Sequence, residues 1–198
     1  MFSADQRLGG AINVYRNTWV YPKGTISILE QTANDPARDL CNWQEAPFVG
    51  STKRHCDSIN LTWLKKNSPN PLLHVIFDEL HQTILNYTKN YYEDYGINEN
   101  CYTNECYSIV RYKQGDHYPA HYDGNTRLGR HISCLLYLND DFEGGELHFI
   151  NQNITIKPEP GMLVLFPSNF AFKHEARPVT KGTKYAFVTW LHDRENRK

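Results

Sequence analysis

The chain has 198 residues, 40% of them hydrophobic and 13% aromatic, which suits one compact domain able to bury a substantial core. A formal net charge of -1 without any run of like charges leaves no electrostatic footprint of nucleic-acid binding. The start MFSADQRLGGAINVY has neither the basic opening nor the apolar stretch of a secretory signal, and no segment approaches the roughly 18 apolar residues of a membrane span. The expectation is a cytoplasmic protein with no membrane and no nucleic-acid partner.

In chain order, Ala11 to Arg16 reads as a short strand and Thr25 to Thr32 as a short helix starting from a Thr25 cap. Asn34 to Lys53, rich in Asp, Pro, Asn and Trp, reads as loop with one strand. Asn70 followed by Pro71 signals a helix start, because Asn caps and Pro is tolerated at the first helical position. Leu73, Phe77, Leu80, Ile84, Tyr87 and Tyr91 then recur every three or four residues up to Gly96, one apolar stripe suited to lying against a sheet. The five cysteines, Cys41, Cys56, Cys101, Cys106 and Cys134, form an odd count without a CxxC pair, which points to reduced, packed thiols.

From Cys106 the pattern changes to short runs rich in Val, Ile, Tyr and Phe, broken by Gly, Asn, Asp and Pro. They are Cys106 to Tyr112, His117 to Tyr122, His131 to Leu138, Glu146 to Ile150, Ile154 to Ile156, Met162 to Phe166, Phe172 to Arg177 and Lys184 to His192. Such a series predicts a mainly β fold with a helical annex (α+β): a double-stranded β-helix, or jelly roll, covered on one side by N-terminal helices. A single domain over 1–198 is expected, with 1–100 as strand and helix support and 101–198 as the β core.

His121 and Asp123 are one residue apart, and the period of two on a strand puts both side chains on one face. In the run from Phe172, the residues Phe172, His174 and Ala176 alternate with Lys173, Glu175 and Arg177, so His174 is expected to face inward. Two imidazoles and one carboxylate leave three positions open on a metal, the arrangement suited to a non-haem iron(II) oxygenase. A lone HxD is weak among nine histidines; His174 on a separate run, and Lys184 ten residues beyond it, strengthen the case.

The stretches SIVRYKQGDHYPAHYDG, CLLYLNDDFEGGELHF and PGMLVLFPSNFAFKHEARPVTKGTKYAFVTW, within Cys106 to Asp193, resemble the catalytic core of the prolyl 4-hydroxylase branch of the Fe(II)/2-oxoglutarate-dependent dioxygenases. The N-terminal half matches only loosely, in VYRN followed by a helix. The resemblance implies Fe(II) on His121, Asp123 and His174, with 2-oxoglutarate and O2 as co-substrates and ascorbate as a candidate reductant. It also implies hydroxylation of a substrate C–H bond with release of succinate and CO2. A buried carboxylate needs a cation and hydrogen bonds, and by resemblance Lys184 holds the far carboxylate of 2-oxoglutarate, with Tyr112 and Tyr137 lining the same pocket. Some relatives carry Thr after GGE where this chain has Leu147, which makes Tyr137 the expected replacement donor.

Arg130, Trp190, His192 and Tyr118 align with positions that contact a peptide around its proline in similar enzymes, which implies C4 of a peptidyl proline in a protein or peptide partner. One alternative is the same chemistry on a small molecule such as a free amino acid. Another is a jelly-roll module that holds a metal or sugar without oxidation; Lys184 argues against it, since such a module needs no carboxylate anchor beside its metal.

Overall fold

The computed structural model describes residues 3–33, 42–46, 54–98, 102–124 and 129–193. The chain begins with a hairpin, β1 (Gln6–Leu8) and β2 (Ile12–Tyr15), followed by α1 (Pro22–Ala33), β3 (Gln44–Glu45), β4 (Asp57–Asn60), α2 (Leu61–Asn67) and α3 (Pro71–Tyr95). The remainder is strand: β5 (Tyr102–Asn104), β6 (Ser108–Tyr112), β7 (Tyr118–His121), β8 (Arg130–Tyr137), β9 (Glu143–Gly144), β10 (Leu147–Phe149), β11 (Ile154–Ile156), β12 (Leu163–Pro167), β13 (His174–Ala176), β14 (Val179–Lys181) and β15 (Lys184–Asp193). Residues 34–41 and 47–53 of the expected loop, together with Cys101, lie outside the described residues. Cys56, Cys106 and Cys134 are free thiols.

Local chemistry sets the helix ends. The Asn70 side chain accepts from the backbone N–H of Leu72 at 3.0 Å, with Pro71 opening α3, and Gly96 closes that helix in the left-handed conformation at φ 62°. Helix α1 departs from expectation: it starts at Pro22, and Thr25 lies buried within its first turns. Proline is tolerated where no intrahelical N–H bond is needed, so Pro22 leads the helix. The Thr25 hydroxyl instead donates to the Tyr21 carbonyl and accepts from the Trp19 indole N–H.

The large sheet runs β1-β2-β12-β8-β15-β6-β4-β3, with β5 also paired to β15; a second sheet runs β11-β10-β13-β7, and β9 pairs with β14. All the pairings are antiparallel. The protein is therefore mainly β, built of antiparallel sheets with few helices.

Period two divides the large sheet between two cores. Ile109, Leu136, Leu163, Leu165 and Phe187 join Leu73, Leu80, Ile84 and Tyr91 of α3 in one apolar cluster. Their strand neighbours Val110, Tyr137, Val164, Phe166, Ala186 and Val188 join Leu147 and Phe149 of the second sheet in the other. Because both faces are covered, β8 and β12 are buried along nearly their whole length instead of at alternate positions. Among the described residues no helix is long and apolar enough to cross a membrane.

Candidate metal centre

Strands β7 and β13 pair so that His121 lies directly opposite His174, with ring centroids 4.4 Å apart. Asp123 follows β7 and reaches back between them, Oδ1 at 3.4 Å from His121 Nε2 and Oδ2 at 3.6 Å from His174 Nε2. Phe172, expected on the His174 strand, ends a 3-10 turn over Phe170–Phe172 instead, and β13 starts at His174 itself. Asn169 caps that turn by accepting from the Ala171 N–H, which delays the strand.

The Nδ1 atoms of His121 and His174 lie 2.8 Å and 3.0 Å from the carbonyls of Pro119 and Phe172. A carbonyl only accepts, so each Nδ1 carries hydrogen and each Nε2 is the ring nitrogen turned toward Asp123. Burial drives His174 down to about 4, against the pull of Asp123, and so keeps it neutral. Burial opposes ionisation of Asp123, yet the attraction of His174 and His121 when they carry a proton, and the Ser133 hydroxyl, hold its carboxyl well below the usual range.

All three ligand atoms lie within 4.8 Å of one another, and all three residues are buried. A buried carboxylate flanked by two imidazole Nε2 atoms is a site that suits a cation, and its two nitrogens and one oxygen fit Fe(II) with positions to spare.

A cavity opens from this site toward Lys184, walled by Val110, Leu135, Leu147, Ala186 and Val188. Lys184 is 2% exposed. Its ammonium donates to the Gly145 carbonyl at 2.8 Å, lies 4.4 Å from the centre of the Tyr112 ring and, among the described residues, forms no ion pair. Lys184 pairs with Tyr112 across β15 and β6, while Ala186 pairs with Tyr137 across β15 and β8, so the three expected pocket residues share one face of the large sheet. Burial pushes Lys184 down to about 7 and raises the Tyr112 and Tyr137 phenols, which therefore stay protonated. A buried ammonium that forms no ion pair among the described residues, in a cavity that Tyr112 and Tyr137 also line, fits a carboxylate.

Residues 107–192 match a family model described as the 2OG-Fe(II) oxygenase superfamily. This chain carries a domain of that superfamily. This chain is 32% identical over 93 residues to a PKHD-type hydroxylase of Sphingopyxis alaskensis, covering 42% of each chain. It is also 32% identical over 120 residues to the probable prolyl 4-hydroxylase 9 of Arabidopsis thaliana, covering 46% of this chain and 42% of that one. This chain thus spans under half the length of these two relatives. Its fold superposes with a TM-score of 0.70 on the viral collagen prolyl hydroxylase of Paramecium bursaria Chlorella virus-1 in its 2OG complex, at 19% identity, covering 93% of this chain and 97% of that one.

Within the 2OG-Fe(II) oxygenase domain the four residues expected at the substrate separate into two pairs. Tyr118 and Trp190 line the cavity, the Tyr118 ring stacked on His121 at 3.6 Å between centroids. Arg130 and His192 are not among the cavity-lining residues; they pair across β8 and β15 beside Trp190. The Arg130 guanidinium lies 3.6 Å from the centre of the Trp190 ring and grips Glu105 through Nε and Nη2, both at 2.7 Å, which leaves buried Nη1 without a partner. His192 Nε2 is likewise buried and unpartnered.

Sequence reasoning missed three groups of this site. Ser133, fully buried, donates to Asp123 Oδ2 at 2.6 Å, and its oxygen lies 2.8 Å from the Ser168 hydroxyl. Period two from Tyr137 back to Ser133 on β8 marks Ser133 as facing the site, so that signal was present. Cys56 belongs to the same buried cluster as Tyr112, and Arg54 lines the cavity beside Tyr118. Both belong to the unpatterned stretch TKRHCD, where nothing local marks them.

Proposed function

We propose that this protein is an Fe(II)- and 2-oxoglutarate-dependent dioxygenase that hydroxylates C4 of a peptidyl proline, releasing succinate and CO2. One observation carries the reading: a two-histidine, one-carboxylate site shares a cavity with buried Lys184, which among the described residues forms no ion pair. The scaffold on this reading is a double-stranded β-helix with helices over one face, a single domain in which 1–100 supports a catalytic core at 101–198. The names of the similar proteins, a prolyl 4-hydroxylase and a collagen prolyl hydroxylase, support the choice of proline.

His121 Nε2, His174 Nε2 and Asp123 would hold the iron, which when bound supplies the redox chemistry that joins O2 activation to decarboxylation of 2-oxoglutarate. Lys184 receives the far carboxylate, and the Tyr137 and Tyr112 phenols offer it hydrogen bonds where Leu147 offers none. The apolar walls Val110, Leu135, Ala186 and Val188 exclude water around the reacting carbon. Trp190 and Tyr118 frame the substrate ring on this reading, and Arg130 holds the Trp190 indole in place.

The test is incubation with Fe(II), 2-oxoglutarate, ascorbate and proline-containing peptides. The expected result is one added oxygen on the peptide, recovered as 4-hydroxyproline after hydrolysis, in step with succinate. Succinate formation that no proline peptide stimulates, or oxygen placed on C3, would overturn the assignment to C4 of peptidyl proline.

A further inference from the structure

Arg54 is a second buried cation in this cavity, and neither the metal ligands nor the Lys184 pocket accounts for it. It is 8% exposed, lines the cavity, and its Nε has no hydrogen-bond partner. Among the described residues it forms no ion pair, and its guanidinium lies against the Tyr118 ring; the nearby carboxylate of Asp123 is already held by two histidines and Ser133. The guanidinium carbon lies 4.5 Å from the centre of the Tyr118 ring, which itself stacks on His121, and 5.9 Å from the centre of the Trp190 ring. Arg54 is therefore one ring away from a metal ligand, on the side framed by the two aromatics.

A desolvated guanidinium is costly without an anion. On the function proposed above, the charges of the doubly charged metal, Asp123, Lys184 and dianionic 2-oxoglutarate cancel, which among the described residues of the cavity leaves Arg54 without a counterpart. Its forked donors match a carboxylate in two-point fashion. We propose that Arg54 receives a carboxylate of the substrate, so that the protein selects a proline carrying an anion within one residue of the reacting ring: a free C-terminal carboxylate or an adjacent acidic side chain. This rests on the prolyl hydroxylase reading.

The experiment measures ligand binding by calorimetry to protein loaded with Mn(II) and 2-oxoglutarate. The probes are a proline peptide with neutral neighbours and an amidated end, the same peptide with Asp beside the proline, a peptide ending in proline with a free carboxylate, and free proline. At least one carboxylate probe is expected to bind about ten-fold or more tightly than the amidated peptide. Arg54→Gln erases that preference, Arg54→Lys keeps part of it, and affinity for 2-oxoglutarate stays within about two-fold in both.

Equal binding of acid and amide probes by the native protein, or a preference that survives in Arg54→Gln, overturns the proposal while leaving the hydroxylase reading intact if the amidated peptide is hydroxylated. A ten-fold or greater loss of 2-oxoglutarate affinity in Arg54→Gln also overturns it, by moving Arg54 to the co-substrate. Free proline binding more tightly than every peptide supports the carboxylate receptor and refutes the peptidyl reading. If no proline probe binds, both fall.

Discussion

At the scale of single residues, the site depends on a few buried groups whose partners are few and replaceable by none of their neighbours. His121→Ala or Asp123→Ala is expected to abolish succinate formation while cooperative melting persists, because both lie on or beside strands already held by backbone pairing. Loss of the folding transition in both variants would assign these residues to structure. Ser133→Ala removes the hydroxyl that holds Asp123 Oδ2 in place. Metal affinity should then fall by about 10–100-fold, read by Co(II) titration with no turnover required.

Lys184→Ala should leave metal affinity nearly unchanged and weaken 2-oxoglutarate by two orders of magnitude or more, since removing one partner of a buried ion pair costs about 3–5 kcal/mol. The lysine also sets a pH dependence. Burial brings its amine down to about 7 in the empty cavity, and a bound carboxylate raises it again. Below pH 7 the ammonium is present before and after binding. Above it, binding must take up a proton, so affinity for 2-oxoglutarate weakens by up to about ten-fold per pH unit until the raised value is passed. Calorimetry in two buffers of different ionisation heat checks this: proton uptake at pH 8 and none at pH 6 is the expected result.

At the scale of elements, the strands that carry the site are fixed by register and by the turns between them. Strand β9 is an example: it pairs with β14 through Gly144 and Val179, and the following Gly145 turns its carbonyl onto Lys184. Gly144 has φ 73°, and a Cβ there would overlap the Pro178 carbonyl oxygen. Gly144→Ala is therefore expected to destabilise more than loss of a helix cap does. Asn70→Ala, which removes the α3 cap, supplies the reference at about 1 kcal/mol, with both read as urea midpoints. A Gly144→Ala midpoint at or above that of Asn70→Ala would show that the β9–β14 pair can shift to make room.

At the scale of the whole molecule, the proposed metal ligands come from the second sheet and the turn after β7, whereas Lys184, Tyr112 and Tyr137 come from the large sheet. Metal and 2-oxoglutarate bound together would tie the two sheets across the second core. At about 100 times the dissociation constant a ligand adds about 2.7 kcal/mol, which for a chain of this size raises Tm by roughly 5–10 °C. Chelation with EDTA should reverse the rise.

Much of this arrangement was legible in the chain itself, because local rules govern it. The Asn-Pro start and Gly end of α3 follow from capping, and His174 inward and Lys184 in step with Ala186, Val188 and Trp190 follow from period two, whereas Asp123 meets His121 from the turn after β7 and not from the strand. What the sequence determined was thus the set of side chains that each strand presents. Which of them meet was decided by strand pairing. His121 faces His174 across 53 residues of chain, Arg130 spends two of its donors on Glu105, and Arg54 arrives in the cavity from a stretch without periodicity. Those contacts are long-range, and local propensity carries no information about them; burial against a second sheet, and the need to satisfy each buried charge, fixes them only once the chain has folded.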